Sequence, residues 1–226
     1  RQNYLGAQKA AMESDLSNLN TYIAQNEAIN ANGRRYLEDL SKSSKELAAA
    51  KSAKSEQDKF LSFVESARNN TELGSAARTE LDGLLGRMKS DSFYTQDLNS
   101  QLAEINGVLS KKFTSADGEE HTIKDFFGQT YGKMEESMIK FDSYVGENGL
   151  KLQSKGASSI NTVVQNAETD VKNAQTVVDS YKNGLTDKNA AAAVDAFSNI
   201  ITVKSSELAK VNGELAYANS TEGQNS

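Results

Sequence analysis

Proline, cysteine and tryptophan are all missing from the 226 residues. At ordinary usage about ten prolines would be expected. Proline removes a helix hydrogen bond and clashes with the preceding turn, so a chain without any reads as mostly long helix. Without cysteine there is no disulfide framework, no thiol nucleophile and no thiolate metal ligand. With a single histidine, His121, a nucleophilic triad has one side chain to serve as its base. No apolar run approaches the roughly 20 residues of a membrane span. The net charge is −6, and the basic residues are interleaved with acids rather than gathered in a stripe. Nucleic acid is therefore not an expected partner.

What the chain has in abundance is apolar spacing at helical intervals. Ile160, Val164, Ala167, Val171, Ala174, Val178, Tyr181 and Leu185 alternate steps of four and three residues, the pattern of a coiled-coil seam. Asn183-Gly184 supplies helix-ending chemistry, with Gly suited to a left-handed C-cap, and Asp187 is placed to cap the next helix. That helix carries a second seam: Val194, Phe197, Ile201, Lys204, Leu208, Val211 and Leu215, with Ile200 and Val203 beside it. A short link between two such helices favours an antiparallel hairpin. Val171 and Leu208 are expected inside, and Asn212-Gly213 is a candidate early stop. A hairpin alone leaves one side of each helix wet. The seams thus require further helices, from the same chain or from another copy.

The N-terminal part reads as another long pair. Met12, Leu16, Leu19 and Ile23 share one stripe, and Asn30-Ala31-Asn32-Gly33 marks a break or weak spot. A second run carries Tyr36, Leu37, Leu40, Leu47, Phe60, Leu61 and Val64. Between Leu47 and Phe60 the seam positions hold Ala, Lys or Gln, which predicts a solvated or frayed helix over 48–59. Leu73 to Met88 and Leu98 to Leu109 predict two shorter helices, and Phe113 to His121 a polar loop. Thr122-Ile123-Lys124-Asp125 resembles a capping box opening a helix with Ile123, Phe127, Tyr131, Met134, Met138, Phe141 and Val145. Residues 150–159 read as a linker or loose turn. The predicted class is all-α: an elongated antiparallel helical bundle with coiled-coil-like hairpins. Its parts are a long pair over 1–68, shorter helices and a loop over 69–149, and a hairpin over 150–218. These pack as one elongated domain, followed by a disordered tail over 219–226.

Motifs that carry chemistry are few. Asp117, Glu119, Glu120 and His121 gather acids round the histidine, but a calcium loop of EF-hand type fails because Phe113, Ser115 and Lys124 fall on its ligand positions. Gly128 to Met134 falls one residue short of a phosphate loop and lacks the hydroxyl after Lys133. Its two glycines read instead as permitting close helix approach. Asn69-Asn70-Thr71 and Asn219-Ser220-Thr221 match the glycosylation sequon. No catalytic, cofactor or metal residues are assigned. The candidate interaction surface combines the aromatic and methionine stripe Phe126, Phe127, Tyr131, Met134, Met138 and Phe141 with the seam positions Ile160, Val164, Val171, Val178, Phe197, Ile201, Leu208 and Leu215. Met and aromatic side chains suit adaptable interfaces.

The long pairs over Leu5–Val64 and Ile160–Leu215, the proline- and cysteine-free composition and the Asn/Ser/Ala-rich surface resemble the needle-tip and filament proteins of bacterial type III secretion systems, the EspA-like and LcrV/IpaD-like groups. That resemblance implies secretion followed by self-assembly or docking on a secretion needle, at the cell surface or outside the cell. The polar tail after Leu215 departs from the family's terminal helix, and no functional residue carries over. The reading is a non-enzymatic structural or interaction protein that needs no cofactor and binds a protein partner or itself. Alternatives are a helical pore-forming toxin component, or a surface-anchored binding protein whose start was removed before Arg1.

Overall fold

The computed structural model describes residues 2–70 and 72–220. Among these the class is all-α. The α-helices are α1 (Gln2–Gln25), α2 (Ala31–Arg68), α3 (Ser75–Met88), α4 (Leu98–Leu109), α5 (Thr130–Glu147), α6 (Ile160–Asn183) and α7 (Lys188–Asn219). Short 3-10 turns cover Asp91–Thr95 and Ile123–Phe126, and a two-stranded antiparallel hairpin joins β1 (Lys112–Thr114) to β2 (Glu120–Thr122). The described residues form two compact units, the first built from the stretches up to 52, 143–150 and from 161 onward, the second from 53–142 and 151–160.

In the first unit α1, the front of α2, α6 and α7 bundle round a shared core. Leu19, Ile23, Ile29, Leu37, Leu40, Val178, Val194 and Ile201 form its centre. The helices required by the two C-terminal seams therefore come from the same chain. Helix α7 runs antiparallel to α1: Gln2 Nε2 donates to the Ala218 carbonyl (2.6 Å), and further along Asp15 meets Lys204 (3.4 Å). Tyr181 of α6 packs edge-on to Tyr36 of α2 at 6.0 Å. Its hydroxyl donates to the Ala28 carbonyl and accepts from the Asn30 N–H, both at 3.1 Å. These bonds pin the link after α1 to α6. Asp187 caps α7, accepting from the Asn189 and Ala190 amides.

The second unit packs the back of α2, α3, α4 and the front of α5 round Phe60, Leu81, Leu84, Met88, Phe93, Ile105, Leu109, Ile123 and Met134, all almost fully buried. Phe60 stands edge-on to Phe141 at 5.8 Å. The Tyr94 hydroxyl donates to the Met88 carbonyl (2.6 Å) and accepts from Gln57 Nε2 (2.8 Å). Burial pushes its ionisation up to about 12.

Several expectations are corrected. Phe113 to His121 is not a plain loop, because its ends pair as β1 and β2, with Phe113 opposite His121. The stretch 48–59 is neither solvated nor frayed: Ala48, Ala49, Ala50, Ala53 and Glu56 are buried. Small alanines there allow close packing where large side chains are wanting. The capping box at Thr122 closes, but it opens a 3-10 turn. Gly128, at φ +54°, then breaks the chain direction before α5 begins. A Cβ at Gly128 or Gly132 would touch nothing, so neither glycine serves close helix approach. Asn212-Gly213 does not stop α7. Gly184 ends α6 without the left-handed conformation. Within 150–159 the chain is an ordered turn, with the Ala157 N–H donating to the Leu152 carbonyl (2.9 Å) and Leu152 buried. Of the expected tail, Asn219 ends α7; residues 221–226 lie outside the described residues. So do Thr71 and Thr221 of the two sequons.

Candidate functional site

Burial divides the sequence-derived interaction surface. Phe127, Met134, Met138, Phe141, Ile160, Val164, Val178 and Ile201 are buried within the chain and present no free face. Phe126, Tyr131, Val171, Phe197, Leu208 and Leu215 are half-buried. Tyr131 is tied down from two sides: its hydroxyl donates to Asn106 Oδ1, and the Lys124 ammonium lies 4.2 Å from its ring centroid. Val171 and Leu208 were expected inside. Each is only half-buried. Between α2 and α6 a cleft of about 340 Å³ opens, lined by Arg35, Tyr36, Asp39 and Ser43 on one side and Asp170, Asn173, Ala174 and Val177 on the other. Leu208 lies at the edge of a wider, open groove of about 690 Å³ along α1, lined also by Glu13, Leu16, Asn20 and Ala24.

The large apolar side chains that do reach solvent are others. Tyr4 (69%) and Tyr22 (64%) stand out from α1, Val177 (42%) from α6, and Ile200 (44%) and Val203 (54%) from α7. The antiparallel register set by Gln2–Ala218 and Asp15–Lys204 brings Tyr22 level with the Phe197–Ile200 stretch of α7. Ala196, Ile200 and Val203 are all exposed and follow one another at steps of four and three, which puts them on one helix face. Sequence spacing had placed Ile200 and Val203 beside the seam as a widening of the buried stripe. The available signal was that the eight apolar residues of the α7 seam and its flank, Ile200 and Val203 included, exceed what one core-facing stripe covers.

The remaining cluster surrounds the one histidine. His121 Nε2 lies 2.8 Å from Asp117 Oδ2, and Nδ1 lies 3.7 Å from Asp125 Oδ2. Among the described residues no group of three or more His, Cys, Asp or Glu side chains is arranged to hold a metal ion. No described helix is long and apolar enough to cross a membrane.

Taken together, the described residues form an all-α fold with two packed cores and exposed apolar side chains on α1, α6 and α7. Comparison with protein-family models, curated proteins and solved structures gave no match.

Proposed function

We propose that this chain is a non-enzymatic structural or interaction protein, and that it docks a protein partner through the outer face of α1 and α7. The observation that carries the reading is the exposure of Tyr22, Ile200 and Val203 on neighbouring helices in matched register. Aromatic side chains are enriched in protein interfaces, and an exposed apolar strip is costly to leave in water without a use. The finer reading is an assembly component acting outside a bacterial cell, of the needle-tip or filament kind. It rests on the likeness in composition and helix plan described above.

The first test is sedimentation of the purified chain over a wide concentration range, with pull-down from its native source, for wild type and for Tyr22→Ser/Ile200→Ser/Val203→Ser. The expected result is a self-associated species or a specific partner with wild type. Both should be lost in the triple variant while its helical circular dichroism is kept. A wild-type chain that stays monomeric and retains nothing, or a variant that binds as well as wild type, overturns the docking face. Secretion-apparatus genes beside its own would support the finer reading, and their absence would count against it.

A further inference from the structure

We propose that His121 is a proton-operated latch: its imidazolium ties the turn of the β1–β2 hairpin to the cap of the 3-10 turn that follows, and lets go when the proton leaves. Each ring nitrogen faces a different carboxylate. Nε2 faces Asp117 in the hairpin turn and Nδ1 faces Asp125 in the 3-10 turn. The Asp117 contact is a hydrogen bond and the Asp125 contact an ion-pair separation; a neutral imidazole can keep the first, but only the charged ring attracts both carboxylates.

The two carboxylates are placed by other bonds, so the ring meets a prepared site. Asp117 accepts from the Ser115 hydroxyl (2.6 Å) and the Glu119 N–H (2.8 Å). Asp125 accepts from the Thr122 N–H (3.0 Å), the bond that closes the capping box. The charges acting on the ring are those of Asp117, Asp125 and Glu119, all negative. The nearby Lys124 ammonium is directed to the Tyr131 ring, and the Phe126 ring stands edge-on at 5.9 Å. With about a third of its side chain exposed, His121 exchanges protons with solvent.

The titrations agree in direction. The Asp117 hydrogen bond raises the histidine above its ordinary 6.5, against a lowering by partial burial. Asp117 is held down to about 2, first by the Ser115 hydroxyl, then by the Glu119 amide and by His121. A raised histidine stabilises the fold fully below its unfolded value of about 6.5, and that contribution is lost as pH rises through the folded value. A depressed carboxylate contributes above its unfolded value, and that part is lost as pH falls towards 2. The latch is therefore closed in mildly acidic solution and opens on the alkaline side of 6.5.

Because the chain has one histidine, a single imidazole signal reports it. The experiment is a ¹H–¹⁵N titration of the full chain that follows the ring nitrogens and the amides of Ser115, Glu119 and Thr122. Exchange protection of residues 112–125 is compared at pH 5.5 and pH 8.5 after correction for intrinsic rates. The expected result is a ring midpoint above 6.5, hairpin amides that move with the same midpoint, and protection that falls at the higher pH. In His121→Gln the pH dependence of protection should vanish while the rest of the spectrum is kept. A ring midpoint at or below 6.5, hairpin amides that ignore it, or unchanged pH dependence in His121→Gln overturns the latch.

Discussion

A glycine shows most directly how one atom decides packing in this chain. At Gly213, inside α7, an added Cβ would lie 2.1 Å from Cδ1 and 2.9 Å from Cγ of Tyr144. Those are atoms near the root of a buried ring, so the ring cannot swing aside. Gly213→Ala would gain about 1 kcal/mol of helix propensity and lose more to the clash. A net loss of about 1–3 kcal/mol is expected, in the range of overpacked cores, read as a lower melting temperature by circular dichroism. At Gly33 the close atoms are the far end of Tyr181, at 2.5–2.8 Å. That ring end can move, but only by giving up the hydroxyl's bonds to Ala28 and Asn30, each worth about 1 kcal/mol. Gly86 and Gly107 meet nothing within 4 Å and lie inside α3 and α4. The same replacement there is expected to stabilise by about 0.5–1 kcal/mol. Equal signs at Gly213 and Gly107 would show that propensity rather than contact governs these sites.

At the level of elements, the sequence spoke clearly where apolar spacing was strict and helix ends carried their own chemistry. The heptads of 160–185, the Asp187 cap and the helices over Leu73–Met88 and Leu98–Leu109 were all legible. Poorly legible were contacts that depend on what stands opposite. The alanines at 48–50 look like a solvated surface until the tight fit around them is known. Val171 obeys the seam spacing but is only half-buried. The hairpin strands are three residues each, too short for a period-2 pattern to register. The outward strip was hidden for the same reason: Ile200 and Val203 are apolar like their buried neighbours, and only the position of α1 shows that they are uncovered. A pair of charge substitutions separates spacing from burial. Val178, 1% exposed, cannot accept an aspartate without stranding a buried charge. Val178→Asp should cost several kcal/mol, among the large effects known for point changes. Val171→Asp, at a half-exposed position of the same seam, should cost clearly less in the same urea titration. Equal losses would mean that Val171 is as fully covered in solution as Val178.

For the whole molecule, the central question is whether two cores make two cooperative units. Each core is built from its own side chains: Leu19, Ile23, Leu37, Leu40, Val178, Val194 and Ile201 in one, Phe60, Leu81, Leu84, Met88, Ile105 and Met134 in the other. Regions with separate cores can open at separate free energies, which hydrogen exchange resolves peptide by peptide. A charge placed in one core should therefore lower protection there first. With Val178→Asp, peptides from α1, α6 and α7 are expected to exchange quickly while those from α3 and α4 stay protected. With Leu84→Asp, at a position 0% exposed, the pattern should reverse. The two variants control for each other, since both bury one uncompensated carboxylate and differ only in the core that receives it. If either change instead releases every peptide together, the two cores fold as a single cooperative body, and the latch at His121 and the outer strip on α1 and α7 share one stability.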